Sequence, residues 1–155
     1  MPQSKSETQF INEMYLAFRD ARQPSVDEIT LHRCIECDDI RDTFEPYSVR
    51  NVPDEKVEWL ARSLCFLSPI TLRYYLPRCI EFDIINPNSW VGDSIIVFIR
   101  VQNVSDPYWA ERHDEFSQNE REIVSEYLEI LQARNDANID DEQLTLALEI
   151  WEGKA

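Results

Sequence analysis

The sequence predicts a single all-α domain of about six helices that spans residues 1–155. Apolar residues recur along most of the chain at three- and four-residue spacing, which places them on one face of a helix. Two serines begin capping boxes, Ser25-Val-Asp-Glu28 and Ser117-Gln-Asn-Glu120, which are typical of helix starts. Only two glycines, Gly92 and Gly153, offer the positive backbone φ that tight β-hairpins require.

The N-terminal part of the chain is expected to contain two helices. The first covers residues 7 to about 22 and follows a frayed terminus at residues 1–6. Its apolar face consists of Phe10, Ile11, Met14, Tyr15 and Phe18. The secondary structure of residues 25–36 is not assigned, because the pattern fits both a capped helical start and a short extended piece. A second, short helix is expected over residues 37–44.

The centre of the domain is expected to be a pair of helices over residues 54–64 and 69–84. Ser68 followed by Pro69 indicates a helix start, because serine caps the first turn and proline tolerates the first helical position. The second helix of the pair is apolar around most of its girth, which is typical of a buried helix. Pro77 cannot donate a backbone hydrogen bond, so we expect a kink or a break there.

The C-terminal part is expected to contain three further helices. Residues 94–101 are assigned to a buried helix, although their β-branched composition favours a strand, because no second strand is available for pairing. Residues 106–115 are expected to form a loop with one helical turn. A helix over 118–134 follows the second capping box, and Asp140 is expected to cap the last helix. The buried face of that last helix is predicted to be Leu144, Ala147, Leu148 and Trp151.

The net charge of the chain limits the classes of partner that it is expected to bind. Thirty acidic against fifteen basic side chains give a net charge of −15, which argues against nucleic acid or an anionic membrane as a partner. A basic protein partner fits this charge better, and an acidic surface that serves only solubility is the alternative. The N-terminus lacks the features of a signal peptide, and the longest apolar run covers only residues 95–99. We therefore expect a cytoplasmic protein without a membrane span.

The acidic residues form clusters along the sequence, and two clusters are predicted to bind the partner. On the helix from 118, glutamates share one face without compensating lysines, which destabilises a helix by a few tenths of a kcal/mol per like-charged pair. The predicted partner-binding residues are Asp38, Asp39, Asp42, Glu122, Glu126 and Glu129. Further acidic clusters are Glu111, Asp114 and Glu115, and Asp136, Asp140, Asp141 and Glu142.

His32, Cys34 and Cys37 have the spacing of metal ligands. A Cys-x-x-Cys pair can present two thiolates to one tetrahedral ion, and His32 lies near enough in sequence to add a third ligand. The pattern is half of a structural zinc site, because no second pair is present. The alternatives are a redox couple, or two ordinary thiols at a helix start, which we favour. No cofactor is expected.

His113 and Arg73 are two further candidates for chemistry. His113 lies among acidic residues, where a general base is possible, but a solvated charge cluster is the favoured interpretation. Arg73 precedes two tyrosines and could bind an anion. We favour instead a structural ion pair between Arg73 and Glu58 or Glu81.

Two motifs carry a resemblance to a known family. The first is Cys34-x-x-Cys37 followed by Asp38, Ile40 and Arg41; the second joins Leu67-Ser-Pro69 to Arg73-Tyr-Tyr-Leu-Pro77. Together they resemble an uncharacterised group of small, acidic bacterial proteins, over about residues 34–80 and more weakly over the helix from 118. The chain departs from the family pattern at positions 70 and 72, where the family usually has glutamate and phenylalanine. The resemblance implies a compact helical domain and assigns no reaction.

The function predicted from these observations is that of a non-enzymatic binding protein. An immunity or inhibitor protein of bacteria, which neutralises a toxin domain through an acidic surface, fits the charge and needs no catalytic residue. One alternative is a phage-encoded inhibitor that mimics nucleic-acid charge with carboxylates in a row. Another is a metal-binding or redox protein centred on His32, Cys34 and Cys37.

Overall fold

The computed structural model describes residues 5–87, 89–99 and 107–153, and these residues form eight α-helices. The helices are α1 (Glu7–Ala17), α2 (Ile35–Phe44), α3 (Asp54–Arg62), α4 (Pro69–Ile85), α5 (Val91–Ile99), α6 (Pro107–Glu115), α7 (Gln118–Arg134) and α8 (Asp141–Trp151). Three short 3₁₀ turns lie at Val26–Glu28, Val49–Asn51 and Leu64–Phe66. The predicted all-α class and compact domain are confirmed, with eight helices among the described residues instead of about six.

Helix α4 is the centre of the domain, as predicted. It packs against α1, α3, α5 and α6, and eleven of its residues are buried. The helix begins after Ser68, whose Oγ accepts the N–H of Thr71 at 3.2 Å, and continues through the buried Pro77 to its end. Of the two predicted effects of Pro77, a kink or a break, the break is therefore wrong. Packing around the proline outweighs the lost hydrogen bond and the ring clash, which together destabilise a helix by about 3 kcal/mol.

Helix α6 replaces the loop that was predicted for residues 106–115. Pro107 occupies the first helical position, where its fixed φ suits a helix. Trp109 and Arg112 are buried at 8% and 3% exposure, and the helix lies against α4. This tertiary burial stabilises a helix whose own apolar pattern is too short to indicate one. Asp106, the predicted first residue, lies outside the described residues.

The other C-terminal segments are helical as predicted, although α5 begins at Val91 and not at residue 94. Both bonds of the second capping box form at the start of α7, which ends at Arg134 and is followed by Asn135 in the left-handed conformation. Asp140 caps α8 through its Oδ1, which accepts the N–H groups of Glu142 and Gln143. The four residues predicted to face the core from α8 are all buried. The β-branched segment is helical as α5, and residues 100 and 101 of its predicted extent lie outside the described residues.

The N-terminal boundaries differ from those predicted. Helix α1 ends at Ala17 instead of near residue 22, because Phe18 leaves the helix and packs edge-on against Phe116. Residues 1–4 lie outside the described residues, but Ser6 is not frayed, since its Oγ accepts the N–H of Gln9. The segment left open at 25–36 contains the Val26–Glu28 turn and a β-bridge between Thr30 and Leu67. Its last two residues belong to α2, which begins at Ile35 and not at residue 37. None of the described helices combines the length and apolar character that crossing a membrane requires.

Candidate functional site

An acidic cleft of about 670 Å³ opens between the Val26–Glu28 turn, the start of α4 and the end of α6. Five of its lining residues are acidic, and none of the described lining residues is basic. The acidic residues are Asp27, Glu28, Glu111, Asp114 and Glu115. Leu31, Pro69 and Ile70 add apolar surface to the same cleft. The cleft therefore combines concentrated negative charge with apolar contact area.

The first wall of the cleft is held in place by a capping box. The Ser25 N–H donates to Oε1 of Glu28 at 3.1 Å, and the same carboxylate accepts two hydrogen bonds from Arg22 at 2.8 and 2.5 Å. These bonds lower the pKa of Glu28 to about 2, with the Arg22 hydrogen bond as the largest cause. Thr71 fastens the turn to α4, because its hydroxyl donates to the Glu28 carbonyl at 3.2 Å.

The second wall is the exposed face of α6. Residues 111, 114 and 115 share that face because they are three and four positions apart. The helix is anchored from its opposite side, where the buried Arg112 donates to the Leu67 carbonyl at 2.7 Å. Since Leu67 immediately precedes Ser68, the N-cap of α4, this bond holds α6 beside the start of α4.

The charge of the cleft is only partly compensated. Asp27 lies 3.7 Å from Arg33, and Asp114 lies 3.8 Å from Arg121, with both carboxylates about three-quarters exposed or more. Such exposed pairs are weak, at about 0–1 kcal/mol. No basic side chain in the described ranges forms an ion pair with Glu111 or Glu115. These two carboxylates are available to a cation brought by a partner.

The predicted glutamates of α7 lie elsewhere, along the junction of α1 and α7. Glu126 and Glu129 line a groove of about 570 Å³, and Glu122 lines a neighbouring depression that also includes Glu126. The charge here is partly neutralised, because Lys5 pairs with Glu126 at 3.1 Å and with Glu13 at 2.5 Å. The three predicted residues do lie along one surface, but one of them, Glu126, is already paired with Lys5.

The predicted aspartates of α2 form a third acidic surface. Asp38, Asp39 and Asp42 are all exposed, and Asp38 is paired with Arg41 on the same helix. Neither these residues nor the α7 glutamates line the acidic cleft. The two predicted clusters therefore lie on separate surfaces, and the acidic cleft is a further candidate that the sequence analysis did not predict.

The proposed metal ligands are not assembled. Among the described residues, no group of three or more histidine, cysteine, aspartate or glutamate side chains has a geometry that could hold a metal ion. His32 is exposed, and Cys34 and Cys37 instead form the start of α2, where Sγ of Cys34 accepts the N–H of Cys37 at 3.3 Å. Both cysteines are free thiols at a helix start, an arrangement shared by two ordinary thiols and by a redox couple.

His113 and Arg73 differ from their predicted surroundings. The His113 ring lies against Trp151, with 4.9 Å between ring centroids, so His113 itself is partly buried instead of solvated, whereas the neighbouring Glu111 and Asp114 are exposed as predicted. Burial lowers the pKa of His113 below its usual value. Arg73 forms a structural ion pair as predicted, but its partner is Glu120 and not Glu58 or Glu81.

The acidic cleft was missed because its walls are more than eighty positions apart in sequence. Two local signals point to it. The capping box at Ser25 holds two acids in one turn, and the spacing of Glu111, Asp114 and Glu115 places them together once residues 107–115 are helical. Without the prediction of α6 as a helix, the second signal could not be used.

The fold is all-α, and its described residues form an acidic cleft. The chain belongs to the Family of unknown function (DUF6714), whose model matches residues 12–155. This confirms the expectation of an uncharacterised family. No match to the chain was found among curated proteins or among solved structures.

Proposed function

We propose that this chain is a non-enzymatic binding protein of bacteria, an immunity or inhibitor protein that neutralises a toxin domain by docking the toxin's basic surface in the acidic cleft. The observation that supports this proposal best is the lining of the cleft, with five acidic and no basic side chains among the described residues. Glu111 and Glu115 are the two carboxylates that receive the partner's cations.

The apolar residues of the cleft support a protein partner. Leu31 is 54% exposed and lies beside Ile70 and Pro69 in the lining. Lysine and arginine side chains carry aliphatic stems that pack on such surface while their charged ends reach carboxylates. A basic protein surface therefore gains both apolar burial and ion pairing in this cleft.

The charge of the whole chain supports fast association. A net charge of −15 attracts a basic partner over distances comparable to the Debye length, about 8 Å at physiological salt. Complementary charge raises the association rate and suppresses incorrect partners. An inhibitor of this kind blocks its target by occupying the target's basic cleft, and it needs no catalytic group.

The concave shape of the site favours a toxin inhibitor over a nucleic-acid mimic. A mimic is expected to display carboxylates in a row at phosphate-like spacing, whereas the cleft carboxylates lie on two walls with apolar residues between them. The α7 and α2 acidic surfaces stay as alternative docking surfaces for the same partner.

The proposal is tested by capture of partners from the native host with the tagged protein at low salt, followed by elution at high salt. We expect one basic protein that is released by salt and whose toxicity is suppressed when both proteins are co-expressed. The matched control is a Glu111→Gln, Glu115→Gln variant, which should fold normally and lose the partner. A partner that is captured equally by the variant would contradict docking in the cleft.

A further inference from the structure

The first turn of α2 holds a pair of thiols in unequal environments. Cys34 is the exposed N-cap of the helix, and its Sγ accepts the backbone N–H of Cys37 at 3.3 Å. Cys37, three residues later, is completely buried. An exposed thiol at a helix N-terminus with a buried thiol one turn behind it is an arrangement that suits attack on a disulfide and subsequent resolution.

The local electrostatics separate the roles of the two sulfur atoms. The pKa of the Cys34 thiol is lowered, mainly by the hydrogen bond that its sulfur accepts from the backbone N–H of Cys37. The nearby charge of Glu36 acts in the opposite direction and raises this pKa. The pKa of Cys37 is raised, mainly by burial, whereas the Thr30 hydroxyl and the Arg41 guanidinium act to lower it. Because Cys34 is also exposed while Cys37 is buried, Cys34 is the thiol that can attack an external substrate.

The surroundings leave Cys34 accessible and keep its helix start rigid. Arg41 donates to Oγ1 of Thr30 at 2.6 Å and to the His32 carbonyl at 3.2 Å, which ties the preceding loop to α2. Ile35, immediately after Cys34, is 81% exposed. An apolar side chain beside the accessible sulfur offers contact surface to a substrate that carries a disulfide.

We propose that Cys34 and Cys37 are a redox-active dithiol that reduces a disulfide substrate and becomes an intramolecular disulfide. The Cys34 thiolate attacks one sulfur of the substrate, forms a mixed disulfide and releases the first substrate thiolate. The Cys37 thiolate then attacks Sγ of Cys34 and releases the second substrate thiolate. Two electrons pass to the substrate, and the thiol protons of both cysteines end on the two released thiols.

The product disulfide requires only local movement. The 3.3 Å contact already places Sγ of Cys34 against the backbone nitrogen of Cys37, so rotation of the two side chains brings the sulfur atoms toward the bonding distance of about 2.05 Å. This activity is independent of the acidic cleft, because neither cysteine lines it.

The remaining cysteines serve as internal controls. Burial raises the pKa of Cys65, and it raises the pKa of the fully buried Cys79 to about 12. Neither has another cysteine three residues away. We expect Cys34 to react with a disulfide faster than Cys65, because Cys34 is exposed and its pKa is lowered, whereas Cys65 is only partly exposed and burial raises its pKa.

The test equilibrates the full-length protein with mixtures of reduced and oxidised glutathione, alkylates the remaining thiols after an acid quench, and maps disulfides by mass spectrometry. The wild-type protein should form a Cys34–Cys37 disulfide at a reproducible glutathione ratio. Cys37→Ala should instead accumulate a mixed disulfide on Cys34. Cys34→Ser, which keeps a good N-cap, should form neither, and Cys65→Ser should behave as wild type.

Circular dichroism checks that each variant is folded. If Cys37→Ala does not fold, the proposal is tested by comparing disulfide formation in the wild-type protein and in Cys34→Ser. The proposal is overturned if Cys34 and Cys37 stay reduced at every glutathione ratio in the folded wild-type protein. Equal oxidation rates for Cys34 and Cys65 would also overturn it. The proposal is also overturned if protein purified without chelator contains stoichiometric zinc that must be removed before Cys34 and Cys37 can be oxidised.

Discussion

The ion pair between Arg73 and Glu120 ties the central helix to α7, and its removal should destabilise the domain strongly. The Glu120 carboxylate is completely buried and accepts three hydrogen bonds from Arg73, at 2.8, 3.0 and 2.8 Å. The same carboxylate closes the capping box of α7, because the Ser117 N–H donates to its Oε1 at 2.8 Å. Glu120→Gln keeps the size and the cap acceptor and removes the charge.

The expected loss of stability follows from the Arg73 charge, which the substitution leaves without its ionic partner. Removing one partner of a fully buried ion pair costs about 3–5 kcal/mol, because the other charge stays buried without compensation. The Arg73 side chain is 19% exposed, so water screens part of that penalty. We therefore expect Glu120→Gln to lower the free energy of unfolding by about 2–4 kcal/mol.

Urea denaturation followed by circular dichroism measures this loss, provided that the slope of the transition is unchanged. The matched control is Glu122→Gln, the same substitution at an exposed position of α7, which should change stability by no more than about 0.5 kcal/mol. The double variant with Arg73→Met should be less destabilised than the sum of the single variants. A loss for Glu120→Gln no larger than that of the control would refute this reasoning.

Two further predictions concern buried groups. Gly92→Ala should destabilise the fold by about 1–3 kcal/mol, because the added Cβ would lie 3.0 Å from both carboxylate oxygens of the buried Asp83; thermal unfolding with an unchanged or raised Tm would contradict this. Stability should fall as pH drops below about 6.5, because burial against Trp151 lowers the folded-state pKa of His113, so the unfolded chain binds the proton first. His113→Gln should remove that part of the pH dependence, and an unaltered profile would refute its origin in His113.

Local signals predicted the helices whose starts and apolar faces are complete within a short stretch. The start of α7 was predicted because the capping box and the periodic apolar residues lie next to each other. The continuation of α4 through Pro77 was not predictable in this way. It depends on burial by other helices, which local propensity does not include.

Partners distant in sequence account for most of what the sequence could not show. Arg73 was expected to form a structural ion pair, but its partner Glu120 is 47 positions away and belongs to α7. The thiol pair at Cys34 and Cys37 was recognised from its spacing, whereas the unequal burial of the two sulfurs required the structure. The acidic cleft joins segments that only the packing of α6 on α4 brings together.

The most direct test of the proposed function is the affinity of the captured basic partner for three paired charge variants at low salt. The variants Glu111→Gln with Glu115→Gln, Glu122→Gln with Glu129→Gln, and Asp39→Asn with Asp42→Asn each remove two charges from one acidic surface. Docking in the acidic cleft predicts that the first variant binds at least about tenfold more weakly, equivalent to about 1.4 kcal/mol, and that the others bind nearly as the wild type does. Equal affinity of the first variant and the wild type would contradict docking in the acidic cleft. Docking would then be assigned to the surface whose variant binds the partner more weakly.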